Sequence, residues 1–451
     1  MPDATVEAAR ASGDRAEQAY ALGARCLANL GRPSCLPDAE ESYRLAVASG
    51  RAESVAIACV TMVNGLEDMG RYADCAAICL EGHAAGLSVG IGGMTALLAV
   101  YGAQFCLLTG RLAEADQLLR EVIAARPAGL TGIQARIYAV VAALRRDDLA
   151  AADRHLREAR ALDPQFDRVA SLHGPNATVG YLLAVRRPRD ALTVLEQTIG
   201  AQAVADPKYA ELMLSWGAEA AADWAMDARD RGEEVRVAME AYHAVLSRCQ
   251  EAGVRPFQDV RDDPVQSAVH AVHEAQLARC RNDPAAVDYW ARAVEAAAAS
   301  DARYLHLEAL LRRAEALLNR PGSRVAAADA LREAHRAASA MGALALDNEV
   351  AAIARSARIS LDEPHPEALA KDRPDELRVL TGREREVLAH LVAGRSYAEI
   401  ARSLFISEKT VSVHVSNLMR KTGTSSRVEA AAWARRRGVV TGPRSRGAPT
   451  T

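Results

Sequence analysis

Aromatic side chains are scarce in this 451-residue chain: four Phe, four Trp and eleven Tyr make up 4% of it, although half of its residues are apolar. A core with so few rings has to be filled by small aliphatic side chains, and Ala dominates here. Alternating β-branched runs are also lacking, so no segment reads as a strand. What remains is a helix former's composition, and the expected fold class is all-α. No Gly-x-x-x-x-Gly-Lys-Ser/Thr loop occurs, and the glycine-rich stretch around Gly92 lacks the lysine. A Walker-type phosphate cradle is thereby excluded, and nucleotide-driven switching with it. No receiver-like α/β segment is visible, which argues against control by a partner kinase.

Motifs for catalysis and metals are missing too. The eight cysteines (Cys26, Cys35, Cys59, Cys75, Cys79, Cys106, Cys249 and Cys280) form no Cys-x-x-Cys pair. Cys75 and Cys79 lie one helical turn apart, a spacing open to metal or redox chemistry, but small apolar packing residues are the better reading. His270, His273 and Glu274 stand in the order His-x-x-His-Glu, which is neither zinc-peptidase order. No catalytic constellation assembles, so neither an enzyme, a metal site nor a cofactor is expected. Residues 84–110 carry no charge. A membrane span needs about 20 predominantly apolar residues, and this run is interrupted by Gly, Ser, Thr and Gln. It reads as a buried helix, and no membrane partner is expected. The N-terminus mixes charges without a signal-peptide core, which places the protein in the cytoplasm.

What is present is repetition. Similar segments start at Gly70 (GRYADCAAICLEGHAAG), Gly110 (GRLAEADQLLREVIAARP), Asp147 (DDLAAADRHLREARALDP) and Arg186 (RRPRDALTVLEQTIGAQA), 37 to 40 residues apart. After a looser stretch, others start at Asn282 and Gly322. Each has a turn, then a small residue, then apolar residues at helical spacing, as in Ala115, Leu118, Leu119 and Val122, or Ala152, Leu156 and Ala159. The pattern resembles a tetratricopeptide-like α-solenoid, here over residues 1–359. Stacked hairpins of that kind share a core and leave a concave surface for an unknown protein, peptide or small-molecule effector. Residues 360–378, with Pro364, Pro366 and Pro374 among charges, read as a linker. The tail 441–451 reads as disordered.

Charge is divided unequally along the chain. From Lys371 to the end there are sixteen Lys and Arg against eight Asp and Glu, net +8. The whole chain is −3, which leaves −11 for residues 1–370. A basic end on an acidic body is the footprint of nucleic-acid binding. Within it, residues 379–440 read as four short helices. Thr381 with Glu384, Ser396 with Glu399 and Ser426 with Glu429 form capping boxes, and Ser407 caps a further helix without the Glu. Gly394 and Gly423 stand where helices should stop. The turn Phe405-Ile406 makes the middle pair a helix-turn-helix, which places its second helix, 408–422, in a major groove of double-stranded DNA.

That helix has two faces. Val411, Val415 and Leu418 form an apolar stripe, expected to pack on Leu388, Leu391, Ile400, Ala401 and Leu404. Lys409, Ser412, Val413, Ser416 and Arg420 form a polar, partly basic face, and the first four of these are candidates for base contact. His414 stands at the edge of the stripe, where it either packs or is left for another role. Asn417 is a DNA contact or a solvated amide. Arg420 and Lys421 either bind DNA or serve as last-turn cations facing the helix dipole.

The residues Leu380, Thr381, Arg383, Glu384, Glu386, Val387, Leu388, Gly394, Ile400, Ala401, Leu404, Ser407, Thr410, Val411, His414, Asn417, Lys421 and Arg427 follow without a gap the pattern of the LuxR-type (GerE-like) helix-turn-helix family, which this segment resembles. The resemblance implies phosphate contacts at Thr410, Lys421 and Arg427, a phosphate or base contact at His414 as the alternative to packing, and a homodimer formed through the last helix, 427–437, where Trp433 is core or interface. It also implies RNA polymerase as a partner. Ser412 and Ser416 stand where relatives often carry Lys or Arg. The order of solenoid and helix-turn-helix resembles the C-terminal half of the large MalT-like ATP-dependent regulators, without their ATPase. The expected function is a DNA-binding transcriptional regulator; the alternative is an interaction scaffold with a weak or vestigial DNA-binding domain.

Overall fold

The repeat starts are the points where the backbone reverses. In a computed structural model of the chain, Gly70, Gly110, Asp147, Arg186, Asn282 and Gly322 have φ of +69°, +81°, +61°, +58°, +54° and +82°. The first five are the left-handed residues that end one helix and release the next, whereas Gly322 lies in the turn beyond the end of α16. The following N–H reaches back five residues, as from Arg71 to Leu66 O (3.0 Å), Arg111 to Cys106 O (2.8 Å), Asp148 to Ala143 O (2.9 Å), Arg187 to Leu182 O (2.8 Å) and Asp283 to Ala278 O (2.9 Å). These bonds satisfy carbonyls that a helix end otherwise leaves open.

The structure describes residues 2–29, 35–89, 92–163, 174–205, 207–257, 263–361, 380, 382–404, 406–422, 424 and 426–436. Among them are twenty-two helices and no strand, in two compact units, Met1–Leu361 and Asp362–Thr451. The expected linker beyond residue 361 and the expected tail 441–451 lie outside the described residues. The first unit runs α1 (Pro2–Ser12), α2 (Arg15–Ala28), α3 (Cys35–Ser49), α4 (Ala52–Glu67), α5 (Tyr72–Val89), α6 (Gly92–Leu108), α7 (Leu112–Ala124), α8 (Gly129–Arg145) and α9 (Leu149–Leu162). It continues through α10 (Gly174–Ala184), α11 (Pro188–Ala205), α12 (Pro207–Arg231), α13 (Arg236–Glu251), α14 (Pro264–Arg281), α15 (Ala286–Ala298), α16 (Arg303–Leu318), α17 (Arg324–Met341) and α18 (Leu344–Ala357).

From α5 onward each repeat start opens a pair of helices, and consecutive helices pack on one another except α13 and α14; α13 packs instead on α11 and α12, and α14 on α12 and α15. The looser stretch hides one more start. Gly232 has φ +68° and Glu233 N–H reaches Ala228 O at 2.8 Å, ending α12 ahead of α13. Its spacing departs from the rest because α12 extends to 25 residues. The charge-free run supplies α6, whose Leu98, Val100, Phe105 and Leu107 are buried in the main core. No helix among the described residues is long and apolar enough to cross a membrane. Cys59, Cys75, Cys79 and Cys106 pack in the same core, where burial pushes their thiols up. His273 is a packed residue as well: it stacks on Phe257, bonds the Tyr242 hydroxyl, and burial pulls its pKa down to about 3.

In an open solenoid each repeat touches only its neighbours. This unit departs from that expectation, because late hairpins return to early ones. Helix α16 packs on α6, and α18 on α8. The Arg145 guanidinium lies 3.7 Å from the ring centre of Tyr304, and Asn348 Nδ2 donates to Asp147 at 2.9 Å. Asp301 accepts from Ala73 N–H at 3.1 Å. Lys208 Nζ donates to Asp68 O at 2.7 Å and to Asp263 Oδ2 at 3.1 Å, while the other oxygen of Asp263 caps α14 through Val265 N–H at 2.9 Å. Further in, Arg312 (11% exposed) holds Glu315 at 2.9 Å and Glu349 at 2.7 Å, and Arg279 holds Asp223 at 2.7 Å.

Two predictions follow from this closure. An added Cβ at Gly70 would stand 2.4 Å from Asp263 Oδ1, whereas one at Gly322 meets nothing within 4 Å. Both positions are left-handed, so Gly322→Ala should cost about 1 kcal/mol through backbone strain and Gly70→Ala about 2–4 kcal/mol, because it also displaces Asp263; equal melting temperatures for the two variants would contradict this. The second prediction concerns Glu308, whose carboxyl is pushed up to about 7 by burial and by Glu219, against the pull of Arg145 and Arg312. A carboxyl raised by folding favours the folded state while protonated, so its contribution is complete below the usual Glu value and lost as pH rises through about 7. Glu308→Gln should match the wild type near pH 4.5 and exceed its stability by about 1–2 kcal/mol at pH 8, as read from thermal melts across that range.

Candidate nucleic-acid interface

The second unit starts from helix ends that the sequence marks one by one. Its helices are α19 (Gly382–Val392), α20 (Tyr397–Leu404), α21 (Glu408–Thr422) and α22 (Arg427–Arg436). Ser396 opens α20 with a complete capping box: Glu399 N–H donates to Ser396 Oγ at 3.4 Å, and Ser396 N–H donates to Glu399 Oε2 at 2.7 Å. Those bonds hold the Glu399 carboxyl below its ordinary range. Ser407 caps α21 by accepting from Thr410 N–H at 3.1 Å, and Ser426 caps α22 by accepting from Glu429 N–H at 3.1 Å. Gly394, at φ +75°, ends α19 with Arg395 N–H on His390 O at 3.1 Å. The Thr381 cap and the Gly423 stop lie outside the described residues, as does Phe405 of the turn.

The apolar stripe of α21 is buried as expected. Val411, Val415 and Leu418 are at most 1% exposed. Val411 and Val415 join Val387, Leu391, Ile400 and Ala401, with Leu404 and Ile406 packed alongside. Leu418 joins Leu380, Leu388, Ala430 and Ala434. The turn between α20 and α21 is closed by Ile406 N–H on Ala401 O at 3.0 Å and by Arg383 of α19, which donates to Leu404 O at 2.6 Å. This orients α21 relative to α20 and turns its other face outward.

That outer face carries Lys409, Ser412, Val413, Ser416 and Arg420, all exposed, with Val413 at 54%. Val413 is thus an apolar side chain set outside the core among hydroxyls and cations. His414 and Asn417 lie half-buried at the borders of the face. Thr410 is half-buried, with its hydroxyl 2.7 Å from Ser407 Oγ at the helix N-terminus, where backbone N–H groups attract anions. Arg427 is exposed at the start of α22, its guanidinium 6.0 Å from the ring centre of Tyr397.

Lys421 is differently placed. Its Nζ donates to Glu384 Oε2 at 2.8 Å, and Glu384 is buried, with 5% of its side chain exposed. The charge of Lys421 is thus engaged inside the unit, tying α19 to α21. The roles of Arg383 and of the Glu384–Lys421 pair were not apparent in the sequence, where Glu384 looks like half of a capping box. In α22 the buried face is Ala430 and Ala434. The side chains of Val428, Ala432, Trp433 and Arg435 lie outside the described residues.

Residues 378–434 match the family described as bacterial regulatory proteins, luxR family. The spore germination protein GerE of Bacillus subtilis (strain 168) is 54% identical over 52 residues, 12% of this chain and 70% of that protein. The probable csgAB operon transcriptional regulatory protein of Salmonella typhimurium and the CsgBAC operon transcriptional regulatory protein of Escherichia coli (strain K12) are each 51% identical over 59 residues, 13% of this chain. The matched segment spans only 27% of the length of those two relatives.

Removing Lys421 leaves the Glu384 carboxylate without its cation. Because Lys421 keeps 25% of its side chain exposed, Lys421→Ala should cost less than a fully buried break, about 1–3 kcal/mol. Amide exchange in α19 and α21 of the full-length protein should accelerate accordingly, and the Glu384→Gln/Lys421→Met double variant should recover part of the loss. Wild-type exchange in Lys421→Ala would show that the pair does not hold the helices.

Proposed function

The chain belongs to the LuxR family of bacterial regulatory proteins, and from that premise we propose that it is a cytoplasmic transcriptional regulator that binds promoter DNA as a dimer through α21. The family is one of transcription regulators and is not enzymatic. The observation that carries the reading is the outer face of α21: exposed Lys409, Ser412, Val413 and Ser416 on a helix whose opposite face is locked into the core. Ser412, Val413 and Ser416 face base edges. Lys409 reaches a base edge or a phosphate, and His414 and Asn417 border the groove. Thr410, Arg420 and Arg427 take phosphates, and Lys421 positions the helix through Glu384. Phosphate contacts fix register, and base contacts specify sequence. Hydroxyls and a methyl-sized surface make single contacts, without the bidentate Arg–guanine pair worth about 1–3 kcal/mol. Dimerisation through the last helix would supply the missing discrimination by reading two half-sites. The hairpin unit is proposed as the signal or partner module, with RNA polymerase as the downstream partner.

The scaffold reading is favoured by one observation, the serines at 412 and 416, and the same measurement separates the two. Full-length protein is titrated with DNA from upstream of its own and neighbouring genes, against competitor DNA, over a salt series. Specific binding is expected, with a slope that falls by about 1 in Lys409→Ala or Arg427→Ala. Ser412→Ala with Ser416→Ala should narrow the gap between specific and competitor DNA while leaving the slope unchanged. Binding without sequence preference in the wild type would support the scaffold.

A further inference from the structure

Two of the eight cysteines are set apart from the rest. Cys26, in the last turn of α2, and Cys35, the first residue of α3, have their sulfurs 2.8 Å apart. Both are buried, at 0% and 3% exposure, in a small cluster of their own with Ala39 and Met62, away from the main core. Among the described residues the other six pack separately among apolar side chains.

The approach is enforced by the neighbouring residues. Arg25, next to Cys26, grips Asp38, three residues after Cys35, with both prongs of its guanidinium: Nε to Oδ2 and Nη2 to Oδ1, each at 2.7 Å. Such a fork fixes orientation as well as distance. A turn further along, Ser42 Oγ donates to Ala19 O at 2.6 Å. Asn29 caps the end of α2 by donating from Nδ2 to Arg25 O at 3.0 Å and from its N–H to Cys26 O at 2.9 Å. The two helix ends are therefore held in register where the thiols face each other. A disulfide needs the sulfurs to close to about 2.05 Å, a movement of under 1 Å from their 2.8 Å separation.

We propose that Cys26 and Cys35 are a dithiol modification site that hydroperoxides convert to a disulfide joining α2 to α3. The Cys35 sulfur, as its thiolate, attacks the peroxide oxygen; the O–O bond breaks, water leaves after protonation, and a sulfenic acid remains. The Cys26 sulfur then attacks the Cys35 sulfur, loses its proton, and expels the hydroxyl as a second water. Two thiols and one hydrogen peroxide give one disulfide and two waters. Burial and the adjacent Cys35 push the Cys26 thiol up, so it is the slower first nucleophile; its attack on the sulfenic sulfur rests on fixed proximity, with its proton passing to the departing hydroxyl. A reductant of the dithiol class reverses the step.

The test is peptide mapping of the full-length protein after hydrogen peroxide treatment, with free thiols alkylated under denaturing conditions. The expected result is a linked Cys26–Cys35 peptide pair, lighter by two hydrogens and released by dithiothreitol, while the other six cysteines remain alkylated. The linked form should melt a few degrees higher than the reduced form, because the bond restricts the unfolded chain. Cys35→Ser should abolish both the linked peptide and the shift without changing the melting of the reduced protein by more than a degree or two. Uniform alkylation of all eight cysteines after peroxide, or a different pairing, would overturn the proposal. Oxidation of Cys35 to a sulfinic acid without any link would overturn it equally, since the geometry requires Cys26 to capture the intermediate.

Discussion

From α4 onward, the turns that start each new helix pair share one backbone constraint, a single residue held at positive φ. The constraint is met by Gly at 70, 110, 232 and 322, by Asp147, by Arg186 and by Asn282. A left-handed residue directs the next N–H back along the helix it has just left, so carbonyls that would be open are bonded within the turn. The chain then starts the following helix at a fixed angle, and alanines at the contact allow the helices close approach. Remove that constraint and the helices remain possible, but their stacking does not.

Closure of the stack uses two kinds of force. One apolar core holds residues of early helices, such as Leu98 and Phe105, together with Leu307 and Leu331 of late ones, and polar contacts mark the return: Lys208 between Asp68 and Asp263, and Asp301 on the Ala73 amide. Such groups are costly to bury and stay only where their partners are placed to within hydrogen-bond distance. They favour one winding over others that an Ala-rich surface would tolerate almost equally well. The second unit applies the same principle on a smaller scale. Its apolar layers are short, and Glu384 with Lys421 fixes how α19 meets α21. The outer face of α21 is thereby aimed by groups that never reach its surface.

Much of this was legible beforehand. The starts at 70, 110, 147, 186, 282 and 322 are local signals, a turn residue followed by helical periodicity, and they survive folding unchanged. The division of α21 into a buried stripe of Val411, Val415 and Leu418 and an outer face of Lys409, Ser412, Val413, Ser416 and Arg420 is likewise a property of 3.6-residue spacing. Gly232 escaped notice because a longer α12 shifted it out of the common spacing. Lys421 read as a phosphate ligand because a lone cation in a last turn looks the same whether it points to solvent or to a carboxylate 37 residues earlier.

The sequence alone determined the all-α class, the repeat starts at 70, 110, 147, 186, 282 and 322, the caps at Ser396, Ser407 and Ser426, and a C-terminal helix-turn-helix of LuxR type. Those are decided within a few residues by side-chain period, backbone hydrogen bonding and capping chemistry, so a linear reading reaches them. Tertiary structure alone decided which polar groups meet. The contact of Asp301 with Ala73, the pairing of Glu384 with Lys421, the capture of Leu404 O by Arg383 and the approach of Cys26 to Cys35 join positions between 9 and 228 residues apart. No local preference encodes such encounters; they exist because the summed packing of many helices brings the two ends to the same place.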